Sequence, residues 1–276
     1  MEKSIIMIRG TQLNKVSVVI PMYNSEKTVL QTLNSVISQT VLPYEIIVVN
    51  DGSTDKSKKV VEQFIIENKI LPIKLVNKKN GGVSTARNEG IRAAAGNWIA
   101  LLDSDDEWLP NKLHRQLEVI EKNPQIDFLG TNRNDEYFNS ILWKKLDYLT
   151  KISPKLLMVK FIFVVPTVIF RKSIVDHVGL FDETQRYAEE GNYFIRIAHK
   201  FNCYLLNESL VVTGGGKAHF GHSGLSGNLK EMELGELKNL KDAKGLKIIN
   251  IFEYYGLVLF SLLKYLRRLL IVKMRN

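Results

Sequence analysis

The residues best suited to chemistry lie in the stretch Leu101 to Trp108, LLDSDDEW. An apolar run, Trp98 to Leu102, delivers Asp103, Asp105 and Asp106 with only Ser104 among them. Three carboxylates at one strand end repel one another unless a cation, hydrogen-bond donors or water compensate. Hard divalent cations such as Mg²⁺ or Mn²⁺ take oxygen ligands and sit between one or two carboxylates and a substrate diphosphate. Side chains two apart on a strand point the same way, so Asp103 and Asp105 are expected on one face with Asp106 elsewhere. The alternative is an acidic turn that caps the helix after it, since Asp is a good N-cap.

The elements that must position these carboxylates read from hydropathy. Val16 to Ile20, VSVVI, is a β-branched run expected as a strand buried on both faces. After Ser25, a candidate N-cap, Val29, Leu33, Val36 and Ile37 recur at helical spacing. Glu45 to Val49 is a second buried strand, stopped by the turn cluster Asn50-Asp51-Gly52-Ser53. Asp55 opens a helix through Val60, Phe64 and Ile65, and Ile73 to Val76 makes a third strand before the Asn80-Gly81-Gly82 turn. A helix carrying Ala86, Ile91, Ala94 and Ala95 ends at Gly96, and the fourth strand delivers Asp103. This alternation predicts an α/β fold with a doubly wound, mainly parallel sheet. Ligands bind such sheets beyond the carboxyl ends of the strands. Pro21 to Asn24, Asn50 to Ser53 and Asp103 to Asp106 all lie at those ends, which weighs against capping alone.

The second half is less regular. A helix is expected from Pro110 through Leu113, Leu117 and Ile120, and strands at Ile126 to Leu129, Thr167 to Phe170 and Tyr204 to Val212. Glu189 to Phe201 reads as an amphipathic helix, and residues 131–160 as a mixed, aromatic-rich stretch without assignment. The 276 residues suffice for a real core, and 45% hydrophobic with 24% charged residues is ordinary for a soluble globular chain. The net charge of +9 points to polyanions: nucleic acid, anionic lipid or phosphorylated substrates. A single cysteine, Cys203, excludes an internal disulfide and a cysteine-rich zinc site and fits a reducing compartment. The first residues, MEKSIIMIRG, lack the apolar core of a signal peptide, and no run reaches the ~18 apolar residues of a membrane span. A cytoplasmic chain is the expectation.

Five segments in this order carry a family resemblance: VSVVIPMYNSEKTVLQTLNSVISQT, IIVVNDGSTD, NGGVSTARNEGI, WIALLDSDDEWLPNKL and VGLFDETQRYAEEGNYFIRIA. Together they resemble the family 2 glycosyltransferases, over roughly residues 14–225. The resemblance implies a GT-A fold, a nucleotide-sugar donor, a divalent cation (Mn²⁺ or Mg²⁺) and inversion at the anomeric carbon. Residues 14–130 would be the nucleotide-binding half and 131–225 the acceptor-binding half, with 226–276 a helical, basic tail. By the same resemblance Pro21, Tyr23, Asn24 and Glu26 border the nucleoside pocket, and Asp51 accepts a hydrogen bond from the uracil ring. Arg87 faces the base or diphosphate. Asp103 and Asp105 match the DxD pair, Asp105 touching metal directly and Asp103 holding ribose or metal. For Asp51 a turn role stays open, and for Arg87 a solvated helix position.

The catalytic base of this family sits in a Glu-Asp pair opening a helix, and here the pair reads Glu189-Glu190. Glu190 stands in the aspartate's place, one methylene longer, with Glu189 the second candidate. An acidic pair at a helix start also serves the helix dipole without chemistry. The implied mechanism is a single displacement: Glu190 takes the proton of an acceptor hydroxyl as that oxygen attacks the anomeric carbon. The cation acts as Lewis acid on the departing diphosphate. A glycosidase instead needs two carboxyls flanking the scissile bond.

The loop Thr213 to Ser226, TGGGKAHFGHSGLS, lacks the full phosphate-loop spacing, so that reading is rejected. It is expected as a lid, with Lys217, His219 or His222 touching phosphate or metal; a solvated loop is the alternative. After about residue 245 the chain reads IINIFEYYGLVLFSLLKYLRRLLIVKMRN, a cationic amphipathic helix suited to an anionic membrane surface. The alternatives are a helix packed on the core or a homodimer contact. A peripheral position on the inner face of a bacterial membrane would suit a lipid-linked (undecaprenyl diphosphate) saccharide acceptor in O-antigen or surface-polysaccharide assembly, with glucose or galactose transferred from a UDP-sugar. The rival readings are a nucleotidyltransferase of similar fold, a non-catalytic nucleotide-sugar scaffold and a nucleic-acid binder. No nucleic-acid motif accompanies the charge, and nucleic acid is not an expected partner.

Overall fold

Strands and helices alternate as expected through the first four strands: β1 (Val16–Met22), α1 (Val29–Ile37), β2 (Glu45–Asp51), α2 (Ser57–Glu67), β3 (Ile73–Lys78), α3 (Val83–Ala93) and β4 (Trp98–Leu101). The computed structural model describes residues 14–142, 144–214 and 227–275. β1 pairs in parallel with β2 and β4, and β2 with β3, giving the order β3-β2-β1-β4. Helices cover both faces of such a sheet, which is why β1 and β2 are unbroken apolar runs. Along β2, Ile46 and Val48 enter the core on one face while Ile47 and Val49 enter the core on the other. α3 lies flush on β1 because Gly90 has no side chain; a Cβ there would collide with Val19.

The chain continues through β5 (Glu107–Trp108), α4 (Lys112–Lys122), β6 (Phe128–Arg133), β7 (Ser140–Ile141), β8 (Lys144–Lys145), β9 (Leu149–Ile152), α5 (Pro154–Val159), β10 (Ile169–Arg171), α6 (Val175–Val178), α7 (Glu189–Lys200) and β11 (Cys203–Val212). β10 runs antiparallel between β4 and β6. β11 is parallel to β6 and antiparallel to β5 and β9. The fold is therefore α/β with a large, mostly parallel central sheet of GT-A type. Two helices follow, α8 (Leu229–Gly245) and α9 (Ile251–Arg275); α8 packs on α7 and α9, and α9 also on α5. Among the described residues no helix is long and apolar enough to cross a membrane.

Two local expectations are corrected. Ser25 does not cap α1: its carbonyl closes a turn by accepting the N–H groups of Thr28 and Val29, each at 3.0 Å. Its hydroxyl instead meets Ser104 Oγ at 2.7 Å, tying the β1 end to the β4 end. α3 stops at Ala93, short of Gly96. Gly96 serves the sheet instead, donating its N–H to Ser17 Oγ at 2.9 Å, and a Cβ there would strike the Lys15 carbonyl.

Candidate active site

The carboxyl ends of β1, β2 and β4, the start of α7 and residues of α8 and α9 enclose a cleft of roughly 1520 Å³. It is lined by Pro21, Tyr23, Asn24, Glu26, Asp51, Arg87, Asp103, Asp105, Glu189 and Glu190, so every sequence-derived site residue in the described part of the chain faces one space. Lys217, His219 and His222 lie outside the described residues.

β4 ends at Leu101, so the two-residue strand period does not set Asp103 and Asp105 on one face. A tight turn replaces it, in which the Asp106 N–H donates to the Asp103 carbonyl at 3.2 Å. Ser104 is clamped from the β1 side, with its carbonyl accepting Thr28 Oγ1 at 2.8 Å and its hydroxyl paired to Ser25. The turn leaves Asp105 exposed on the cleft, Asp103 half-buried and Asp106 buried. The Asp106 carboxyl is pushed up to about 8, first by burial and then by the charges of Asp103 and Asp105, with the Gly214 N–H partly offsetting this. That N–H donates to Asp106 Oδ1 at 2.8 Å.

Asp105, exposed on the cleft, and the half-buried Asp103 offer carboxylate oxygens of the kind a hard divalent cation takes. Among the described residues no group of three or more His, Cys, Asp or Glu forms a ready-made cage. Mg²⁺ and Mn²⁺ do not need one, since water and substrate phosphates commonly fill most of their positions.

The rim formed by residues 23–26 and 51–56 is held by cross-loop bonds. Asn24 adopts a left-handed φ of 50°, and its Oδ1 accepts the Thr54 N–H at 2.9 Å while its own N–H donates to Ser53 Oγ at 3.1 Å. Glu26 Oε2 accepts the Lys56 N–H at 2.9 Å. The buried Asp51 carboxylate accepts the N–H groups of Gly81 and Gly82, at 2.9 and 2.8 Å, and the Lys78 ammonium at 2.6 Å. Asp51 is thus a turn organiser that also lines the cleft.

Arg87 is not a solvated helix residue. It is 4% exposed and donates to Asp103 Oδ1 at 2.9 Å and to Glu189 Oε1 at 2.8 Å. Burial alone would lower its pKa, but Asp103 and Glu189 together outweigh that and raise it, so the guanidinium stays charged. One side chain on α3 therefore links the strand-end acidic turn to the acidic pair on α7.

Glu189 is buried in that ion pair. Glu190 is half-buried and faces both the cleft and a small apolar cavity of roughly 100 Å³. Its carboxyl is pushed up to about 8, first by burial and then by the neighbouring Glu189, with Arg87 offsetting part of the rise. Both glutamates lie in the first turn of α7, where the helix dipole also favours them.

The turn that presents this pair rests on residues that sequence reading missed. Ala188 precedes α7 with φ 54°, a conformation costly for any residue but glycine. Gln185 Nε2 donates to the carbonyls of Tyr187 and Ala188, at 3.0 and 3.2 Å, and Asn239 Nδ2 to that of Ala188 at 2.9 Å. Gly235 on α8 lets that helix touch the turn, since a Cβ there would collide with the Tyr187 carbonyl. Nothing in the spacing of Asn239 or Gly235 signals this, because their partners lie about fifty residues away.

Residues 17–179 match the family model for glycosyl transferase family 2. Among curated relatives, the Escherichia coli UDP-Glc:alpha-D-GlcNAc-diphosphoundecaprenol beta-1,3-glucosyltransferase WfgD is 37% identical over 129 residues, 47% of this chain and 49% of WfgD. The chain spans only part of its curated relatives, from 15% to 66% of the length of eight of them. S. aureus TarS 1-349 in complex with UDP-GlcNAc superposes with a TM-score of 0.64 at 22% identity, covering 88% of this chain and 70% of that one. The Pyrobaculum calidifontis mannosyltransferase PcManGT, in complex with GDP-Man and Mn²⁺, gives 0.64 at 16% identity, covering 91% and 69%. These two likenesses bear on the fold alone; the family model spans more than half of the sequence, and the chain belongs to glycosyl transferase family 2.

Proposed function

We propose that this chain is an inverting hexosyltransferase that moves glucose or galactose from a UDP-sugar to a hydroxyl of a lipid-diphosphate-linked saccharide, in O-antigen or other surface-polysaccharide assembly. The observation that carries the reading is the single cleft in which Arg87 bridges Asp103 to Glu189, with Glu190 beside them. UDP-GlcNAc in TarS and the diphosphoundecaprenol acceptor named for WfgD support the donor and acceptor classes.

In this scheme Pro21, Tyr23, Asn24, Glu26 and Asp51 receive the nucleoside. Asp105, with Asp103, would hold Mn²⁺ or Mg²⁺, which supplies Lewis-acid neutralisation of the diphosphate. Arg87 fixes Asp103 and Glu189 in place, and its charge pre-organises the donor side. Glu190 takes the proton from the acceptor hydroxyl; a carboxyl raised toward 8 is a better base than an ordinary one and ionises near working pH. Residues 14–225 form the transferase unit in this reading, with donor and acceptor halves meeting near residue 130, and 226–276 the tail. The apolar outer stripe of α9, edged by Arg267 and Lys273, lies on anionic lipid of the inner membrane face.

Incubation with Mn²⁺, a panel of UDP- and GDP-sugars and lipid-linked acceptors, followed by nucleoside diphosphate release, tests the reading. Release with a UDP-hexose that disappears in Asp105→Ala and Glu190→Ala is the expected result. Nucleotide transfer instead of sugar transfer would support the nucleotidyltransferase reading, and silence of the parent on every donor would support the scaffold.

A further inference from the structure

α9 faces two ways. Phe252, Tyr255, Leu259, Leu263, Leu266 and Leu270 form a stripe at three- and four-residue spacing, each more than half exposed. Ser261, Lys264 and Arg268 leave the helix from the opposite side. Arg268 lines the cleft, and Ser261 and Lys264 line the small cavity that also holds Glu190. This inner side is pinned to α8: Arg268 donates to Glu233 and Glu236, both at 2.7 Å, and the Ser261 hydroxyl to Glu236 at 3.2 Å. α8 in turn rests on the Tyr187–Ala188 turn that presents Glu190. The apolar stripe and the wall of the catalytic cleft are thus two sides of one helix, whose thickness with side chains is about 10–12 Å.

We propose that α9 is a ruler that sets which sugar of the acceptor is glycosylated: a hydroxyl on the first or second ring from the lipid diphosphate, in a short lipid-linked saccharide. This rests on the reading above, with Glu190 as base and the α9 stripe in the lipid interface. An acceptor anchored in the same interface carries its diphosphate at headgroup level, and its hydroxyl meets Glu190 only at the height that α9 fixes. One or two pyranose rings reach no further than about that thickness. Longer saccharides carry their terminal hydroxyl past the cleft, and soluble ones lose the effective concentration that a shared surface provides. The ion pairs tie α9 to α8, and the packing of α8 on the turn ties it to Glu190.

The test uses the full chain, a UDP-hexose donor and acceptors with one, two, three or four sugars on the same polyprenyl diphosphate, in phosphatidylglycerol vesicles. The accepting sugar is always terminal. The expected kcat/KM is highest for one or two sugars and falls about 10²-fold by four, the scale of a misplaced reacting group. A flat profile, or one rising with length, overturns the ruler. The same series on a short-chain, water-soluble lipid without vesicles is expected to lose this dependence; a steep dependence that persists there assigns it to sugar contacts in the cleft and also overturns the ruler. Leu263→Glu with Leu266→Glu is expected to abolish vesicle binding, lower turnover on vesicles and leave the soluble acceptors unaffected. Vesicle binding lost with the length profile unchanged overturns it too. Silence on every acceptor, soluble or embedded, overturns the transferase reading and the ruler with it, which separates the two failures.

Discussion

Replacing Glu190 by Gln separates the chemistry of this carboxyl from its contribution to stability. The side chain keeps its size and loses its charge. In the folded protein its pKa stands near 8 against an ordinary 4.5, raised first by burial and then by Glu189. Below pH 4.5 both folded and unfolded chains hold the proton and the carboxyl costs nothing. As pH rises from there toward 8, the unfolded chain gives up the proton while the folded one keeps it, so the parent loses stability. Above 8 the loss is complete and constant. A tenfold difference in proton affinity between the two states is worth about 1.4 kcal/mol, and the half-solvated position reduces the total to about 2–4 kcal/mol. Gln does not titrate, so the variant gains on the parent over that window.

Urea unfolding of both proteins at pH 5 and pH 9 reads this directly. The midpoints should differ little at pH 5, and the variant should be the more stable by about 2–4 kcal/mol at pH 9. Sugar transfer should fall about 10²- to 10⁴-fold, the span of a lost general base, and the parent's kcat/KM should rise with pH through about 8. Equal stability gaps at the two pH values would refute the raised pKa. Turnover within a few-fold of the parent would refute the role of base.

Arg87→Leu leaves Glu189 buried without its partner, and the expected loss is about 3–5 kcal/mol in chemical unfolding. Gly235→Ala would normally gain helix propensity, but its methyl meets the Tyr187 carbonyl, so a loss of about 1–3 kcal/mol and a drop in kcat at unchanged donor KM are expected. Asp105→Asn, on an exposed turn, should change stability by less than about 0.5 kcal/mol while weakening Mn²⁺ binding, measured by calorimetry on the protein without substrate.

The first part of the fold is legible in the sequence because parallel strands buried on two faces must be apolar runs, and β1, β2 and β4 are. Their ends then place Pro21, Asp51 and Asp103 on one rim without further information. Legibility fails where the chain pairs across long separations. β10 has three residues and sits between strands that precede it by dozens of positions, so neither its antiparallel sense nor its neighbours leave a local trace. The turn after β4 passes for strand because Asp103-Ser104-Asp105 has the alternation of a strand but is closed by a backbone bond from Asp106. The left-handed Ala188 has no signal either; its support comes from Gln185 and from Asn239 on α8. The tail reads as amphipathic, but only the ion pairs of Arg268 with Glu233 and Glu236 reveal that its polar side faces the cleft.

The division of labour between the paired glutamates follows from the charges around one guanidinium. Arg87 commits its two terminal nitrogens to Asp103 and Glu189, and its Nε finds no acceptor among the described residues. A third carboxylate nearby, Glu190, receives from Arg87 and one backbone N–H less than burial and the repulsion of Glu189 cost it. The residue left over, Glu190, binds its proton more tightly than an ordinary glutamate, as the proposed base requires. Glu190 lines both the cleft and the small cavity bounded by α9. Were Glu189 the base instead, its carboxylate would first have to leave the buried ion pair with Arg87.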